Sequence, residues 1–397
     1  GMVIPIGKLA LYTLGAGIHP AYTLPISLDV GTDNQRLLDD ELYIGWRHPR
    51  LRGDEYYEII DEFVVAVRRR LPDALLQWED FKKANAFTLL DRYREELPSF
   101  NDDIQGTAAV VVAGVLAYGR ATGTKLADQR IVLVGSGAAG IGVARQIHHI
   151  LEAAGVTGDD LYRRIALLDT QGLVVKERDG LEAYKRQLAW PADLANQVGL
   201  TGDAAADLPT VIEALQPTVL IGTTGQPGLF GEAAVKAAAH HVERPLVMAL
   251  SNPTSKTEAV PADVFAWTDG KAFMATGSPF SPVDYGGRSI PVPQCNNVYV
   301  FPGVGLGAIV SKAARVTDAM FAAAADELAA QVSDTDLAEG RLYPPLAELR
   351  TITRRIAFVV ARAAIDGGAA DAMTDAEINA ALDHEIWDFS YPTLRPI

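Results

Sequence analysis

The chain has 397 residues, 49% of them apolar, a formal net charge of −15 and a single cysteine. Its length predicts two or more domains with ample core, and the acidic balance argues against nucleic acid as a partner, since a phosphate backbone demands a basic surface. With Cys295 alone there is no disulfide framework, and a reducing cytoplasm is the expected compartment.

Residues 1–100 read as mixed α and β. The start, "GMVIPIGKLALY", has no cleavage-like site, so no signal peptide is expected. "LPISLDVG" (24–31) predicts a strand running into a glycine turn. "EYYEIIDEFVVAVRRRL" has apolar residues at helical spacing, and "ALLQWEDF" (74–81) predicts a strand with acids at its end. After "SFNDDIQGT" an apolar helix is expected over about 107–121. Its run "VVVAGVLAYG" reads as too short to span a bilayer, so no membrane span is expected.

Beyond residue 130 the rhythm changes. "RIVLVGSGAAGIGVARQIHHILEAAG" is a strand, a glycine-rich turn and a helix. "RIALLDTQGLVV", "TVLIGTTGQPGLF", "PLVMALSNPTSKTE" and "AFMATGSPF" supply further apolar strands ending in acidic, glycine or polar loops. Strand-loop-helix repetition of this kind predicts a parallel, doubly wound sheet. From about residue 303 the chain is mostly helical and rich in alanine. The predicted fold is therefore α/β. It has a doubly wound parallel-sheet (Rossmann-type) dinucleotide-binding domain over 102–297 and a second α/β domain over 1–101, completed by about 298–365. A tail over 366–397 follows.

"VGSGAAG" sets Gly135, Gly137 and Gly140 in G-x-G-x-x-G register, with Ala138 and Ala139 opening the helix. The first glycine allows the tight turn, the second lets backbone approach a pyrophosphate, and the third lets helix pack on strand. The helix N-terminus then offers free N–H groups to the phosphates. Asp169 ends the next strand and would accept the adenosine ribose hydroxyls, which favours NAD. Lys185–Arg186 downstream could reach a 2′-phosphate or form an exposed helix face, so NADP stays open.

Three acids, Glu79, Asp80 and Asp103, lie at strand or helix ends. Carboxylate oxygens suit Mg²⁺ or Mn²⁺, although acids at strand ends are commonly just solvated. Asp102 beside Asp103 needs a partner if it is buried, and on an extended chain the two would face opposite sides. Lys8, set among apolar residues, could serve as a base if burial lowers its pKa, or could snorkel to the surface. Histidine pairs at 148–149 and 240–241 argue against a histidine centre, since adjacent residues do not share a helix face.

Taken together, "IPIGKLALYT", "DVGTDN", "QWEDF", "FNDDIQGTAA", "VGSGAAGIG", "LSNPTSKTE", "ATGSPF", "QCNNVYVFPGVGLG" and "GRLYPPL" resemble the motifs of the malic enzyme family, in its order. "LYIGWRHPR" and "QCNN" are most similar to the bacterial NAD-linked branch. The resemblance implies oxidative decarboxylation of L-malate to pyruvate and carbon dioxide, with NAD or NADP and Mg²⁺ or Mn²⁺. It implies Glu79, Asp80 and Asp103 as metal ligands, Lys8 as general base and Asp102 as the acid that positions it. Asn252 and Asn297 would contact substrate and the nicotinamide half. It further implies a homodimer or homotetramer. The family's chains begin well before "IPIGKL" and carry there the tyrosine that protonates the enol and an arginine that binds substrate and cofactor. Impaired turnover is therefore expected of this chain. The alternatives are malolactic activity, which yields lactate, and a non-catalytic protein that binds NAD or a dicarboxylate. Asp102 beside Lys8 is expected to raise the lysine pKa.

Overall fold

A computed structural model describes residues 2–390. Two short strands come first, β1 (Leu76–Trp78) and β2 (Ser99–Asn101), paired in parallel with Trp78 opposite Asn101. Of the eight that follow, six are β3 (Ile131–Val134), β4 (Ile165–Asp169), β5 (Gly172–Leu173), β6 (Val219–Gly222), β7 (Leu246–Ala249) and β8 (Phe273–Thr276). They form one sheet in the order β5-β4-β3-β6-β7-β8, parallel except for β5, which folds back on β4. Val134 lies opposite both Leu168 and Gly222, and Ala249 opposite Thr276, so the strands end level and their loops emerge on one edge. The strand order reverses between β3 and β6, the place where open sheets of this kind bind ligands.

The strands are apolar up to their last residues because both sheet faces are covered. Ile131 and Leu133 point into the larger core, and Val132 and Val134 into a second one on the other face. A third, smaller core gathers Val30, Ile60, Trp78 and Tyr93 around β1.

Helix α1 (Val3–Leu11) runs into a π-helical turn, Tyr12–Ala16, that ends at Gly17 with φ +68. Helix α2 (Asp54–Arg70) forms as its spacing predicts. Helix α3 (Thr107–Thr122) continues from a π-helical turn at Asp102–Gly106. The two make one 21-residue helix of mean hydropathy 1.3. That corrects the reading of its apolar run as too short, since by length and composition the helix could cross a membrane. In the fold it is a core helix, 78% buried and covered by α4 (Ala138–Ala153) and the later helix Asp318–Ala330.

The strand expected at 24–31 is absent. Leu24 and Ile26 are 61% and 39% exposed, and no neighbouring strand lies there to pair with them. Val30 is buried in the small core with Leu28 packed partly against it, and the Val30 carbonyl accepts the Leu51 N–H at 2.9 Å. At the other end of the chain, α5 (Phe301–Val310), α6 (Asp318–Ala330) and α7 (Leu349–Asp366) pack together, and α5 also seats the Tyr12 turn. Gly305 permits this, because a Cβ there would lie 2.5 Å from the Tyr12 ring. Of the expected tail, residues 391–397 lie outside the described residues. Helix Asp375–Glu385 packs on α7 through Ile378 and Leu382.

Candidate active site

β2 ends at Asn101, whose side chain accepts the Ile104 N–H at 3.0 Å and caps the helical turn that follows. Asp102 and Asp103 therefore stand on the first turn of a helix and not on extended chain. They diverge by the rotation between successive residues of that turn, not by the half-turn of extended chain. Asp102 is fully buried. Its Oδ2 accepts from Lys8 Nζ and from Asn297 Nδ2. Its Oδ1 is buried without a partner among the described residues. Gly106 makes this carboxylate possible, since a Cβ there would sit 1.8 Å from Oδ1.

Lys8 comes from α1 and also lies 3.1 Å from Glu79 Oε1, with its ammonium 4.7 Å from the centre of the Phe301 ring. Glu79 follows β1. Its Oε2 accepts from Gln77 Nε2 at 3.1 Å, and Gln77 Oε1 accepts from the Tyr12 hydroxyl at 2.7 Å. Asp103 Oδ2 accepts the backbone N–H of Asp80 at 2.8 Å, in a turn where Asp80 takes φ +59 and is exposed. Lys8, Glu79 and Asp80 open onto a cleft of about 840 Å³.

Burial pushes the Glu79 carboxyl up to about 7, helped by Asp102 and Asp103 and opposed by Lys8. Burial likewise raises Asp102 to about 6 against the pull of Lys8. Burial draws Lys8 down, but Asp102 and then Glu79 more than reverse this, and its pKa stands above the ordinary lysine value, as the sequence predicts. Glu79 and Asp102 thus share one ammonium, Asp103 meets only a backbone N–H, and the buried Asp102 Oδ1 stays unpartnered among the described residues. Carboxylate oxygens of this kind suit a hard divalent ion such as Mg²⁺ or Mn²⁺, but among the described residues the structure does not bring the expected ligands Glu79, Asp80 and Asp103 within 4.8 Å of one another.

The glycine-rich turn joins β3 to α4. Gly135 takes φ +120, and a Cβ on it would strike Thr223 Oγ1 at 2.5 Å. A Cβ on Gly140 would meet the Gly135 carbonyl at 1.9 Å, while Gly137 faces open space. Two glycines are thus fixed by the turn itself, and the third leaves a bare face where a pyrophosphate could approach, with Ala138 and Ala139 opening α4 beside it. These features fit a dinucleotide. The acidic turn is packed against the same helix, since a Cβ on Gly142 would lie 2.3 Å from the Ile104 carbonyl.

Asp169 ends β4 next to this turn, but its carboxylate is already satisfied. Oδ1 accepts from Gln171 N–H at 3.0 Å and Arg178 Nη1 at 2.9 Å. Oδ2 accepts from Arg178 Nη2 at 2.5 Å and Lys185 Nζ at 2.8 Å. Burial raises its pKa, and the Arg178 and Lys185 hydrogen bonds reverse that and hold it below the usual carboxylate range. A ribose hydroxyl must displace one of these donors. Lys185 is buried against Asp169 and Glu182 while Arg186 is exposed, so the pair does not form one basic face. Asn252 follows β7, and its Oδ1 accepts from Ser278 Oγ at 2.6 Å.

Sequence reading missed Gln77, Tyr12 and Arg178. Gln77 left a signal, because residues 77 and 79 share one face of a strand. Arg178 left none, since the hairpin through β5 folds it back. The histidine argument also fails at one place. His240 Nδ1 and His241 Nε2, at the end of helix Glu232–His241, lie 3.8 and 2.6 Å from Glu213, with the three donor groups within 4.8 Å of one another. The last turn lets both neighbours reach one carboxylate. His240 is 72% and Glu213 49% exposed, so this is an open, solvated contact.

The family model described as "Malic enzyme, N-terminal domain" matches residues 1–94, and "Malic enzyme, NAD binding domain" matches 104–365. Among curated proteins, the NAD-dependent malic enzyme of Acinetobacter baylyi is 48% identical over 391 residues, covering 98% of this chain and 69% of its own. That of Sodalis glossinidius is 47% identical over 395 residues, covering 100% and 70%. The malic enzyme structure from Entamoeba histolytica superposes with a TM-score of 0.72 at 24% identity, over 97% of this chain and 69% of that one. The one from Pyrococcus horikoshii gives 0.72 at 24% identity, over 97% and 76%, a likeness of fold. On these matches across both halves of the chain, it belongs to the malic enzyme family.

Proposed function

We propose that this chain catalyses the oxidative decarboxylation of L-malate to pyruvate and carbon dioxide, with reduction of NAD. The observation that carries the reading is the Lys8, Asp102, Asn297 and Glu79 cluster, built directly against the helix that opens from the glycine-rich turn. In this reading Lys8 Nζ would take the C2 hydroxyl proton, and NAD, when bound, would supply the hydride acceptor. Asp102, buried and held by the Asn297 amide, keeps that amine in place. Glu79, Asp80 and Asp103 would hold the divalent cation. Bound there, it supplies Lewis-acid polarisation of the substrate oxygen and positive charge that works against the carboxylates keeping Lys8 protonated. Gly135, Gly137, Ala138, Ala139 and Gly140 receive the pyrophosphate, Asp169 the ribose, and Asn252 and Asn297 the substrate end. Neutralisation of Lys185 by Asp169 and Glu182 supports NAD over NADP.

The proposed division of the chain keeps residues 1–101 with about 298–365 as one domain and 102–297 as the cofactor domain. The packing of α5 on the Tyr12 turn supports it. A cytoplasmic setting is proposed from the single cysteine, free and buried in the core. A homodimer or homotetramer is proposed from apolar side chains left exposed on and after α1, including Val3 at 82% and Leu14 at 58%.

The test is product analysis with L-malate, Mn²⁺ and NAD. Equal amounts of NADH and pyruvate are expected, and Lys8→Ala should lower kcat by about 10²–10⁴-fold. Lactate without net NADH would move the assignment to malolactic chemistry.

A further inference from the structure

Glu258 is a fully buried carboxylate with no cation within ion-pair distance among the described residues. It is held instead by two loops. Its Oε1 accepts from Thr224 N–H at 2.7 Å, Thr224 Oγ1 at 3.0 Å and Ser251 Oγ at 2.5 Å, and its Oε2 from Ser251 N–H at 3.2 Å. Ser251 Oγ in turn accepts the Gly225 N–H at 2.7 Å. The strand next to it is shaped around this group. Gly222, the last residue of β6, could carry no side chain, because a Cβ there would lie 2.7 Å from Glu258 Cγ and 2.9 Å from Cδ.

Each loop leads to a part of the proposed cofactor site. Thr224 follows Thr223, whose hydroxyl donates to the Gly135 carbonyl at 3.3 Å and whose N–H donates to Val134 at 2.9 Å. Thr223 is also the residue that Gly135 and Gly140 leave room for. Ser251 precedes Asn252, which is tied onward to Ser278. We infer that Glu258 is a positioning residue that couples the pyrophosphate turn to the Asn252 loop, and so sets the affinity for the dinucleotide without touching it. A carboxylate suits the task because it is acceptor-only and can take several charge-assisted bonds at once. A glutamine would turn an N–H₂ group toward one of these donors.

The inference rests on the NAD-binding reading above, and the experiment separates the two. NAD⁺ and Mn²⁺ affinities are measured by calorimetry on the full chain and on Glu258→Gln, Thr224→Val and Thr224→Ser. Glu258→Gln should weaken NAD⁺ at least tenfold and leave Mn²⁺ within twofold. Thr224→Val should weaken NAD⁺ about threefold or more, and Thr224→Ser, which keeps the hydroxyl, should restore it. If Glu258→Gln does not fold, the valine and serine pair decides. NAD⁺ binding unchanged in both Glu258→Gln and Thr224→Val would overturn the inference. So would equal losses of NAD⁺ and Mn²⁺ affinity, which would mark a general structural role. Failure of the unaltered chain to bind NAD⁺ would instead strike the underlying cofactor reading.

Discussion

Tyr12 has no place in the proposed chemistry, yet it governs how Glu79 is held. A tyrosine hydroxyl that donates to Gln77 Oε1 leaves the amide nitrogen to face Glu79. Burial keeps the Tyr12 pKa well above the ordinary value, so the hydroxyl stays a donor. Tyr12→Phe removes the donor to Gln77 Oε1 and so loosens the amide that donates to Glu79. The loss of about 1 kcal/mol predicts roughly fivefold weaker Mn²⁺ binding, measurable by titration, with NAD⁺ affinity unchanged. His148 makes a separate prediction. Burial depresses its pKa from 6.5 to about 4, so between those values the unfolded chain binds a proton that the folded chain refuses. Stability should therefore be complete above about pH 6.5 and fall as pH drops toward 4, by up to about 3 kcal/mol. Urea midpoints at pH 7.5 and 5 should show the loss, and His148→Leu should reduce it. At this scale the sequence showed which residues carry charge. It did not show Asp102 at zero exposure, because burial comes from α1, α5 and the Asn297 segment, all distant in sequence.

The glycine-rich turn shows how much one element can be read and where reading stops. G-x-G-x-x-G after an apolar run and before a helix was legible because each glycine answers a local demand. The three positions nevertheless differ in what they should tolerate. Gly140→Ala forces a Cβ to within 1.9 Å of the Gly135 carbonyl. It should destabilise the fold by about 1–3 kcal/mol and abolish detectable NAD⁺ binding. Gly137→Ala meets nothing within 4 Å and has φ −74, so stability should change by less than about 0.5 kcal/mol. It should still weaken NAD⁺ by filling the open face. Calorimetry together with chemical denaturation of the two variants checks the contrast. The element misread was 24–31. Its alternating apolar residues satisfy a strand pattern, but a strand exists only where another offers its hydrogen bonds.

For the whole molecule, the exposed apolar side chains cluster on and after α1, with Ile6 at 52% and Leu24 at 61% in addition to Val3 and Leu14. If this face closes an assembly, sedimentation should give a dimer or larger, and Leu14→Asp should shift it toward monomer. The sequence by itself determined the strand-loop-helix alternation, the doubly wound sheet and the dinucleotide turn, because those depend on spacings within a few dozen residues. It also supplied, through resemblance, the list of site residues. Only the tertiary structure decided that Lys8, Glu79, Asp102 and Asn297 meet at one point, that Asp169 is already saturated by Arg178 and Lys185, and that Glu258 clasps two loops. These contacts join residues brought together by strand order and helix packing, and the desolvation that shifts their pKa values is a property of the closed core, absent from any local stretch of chain.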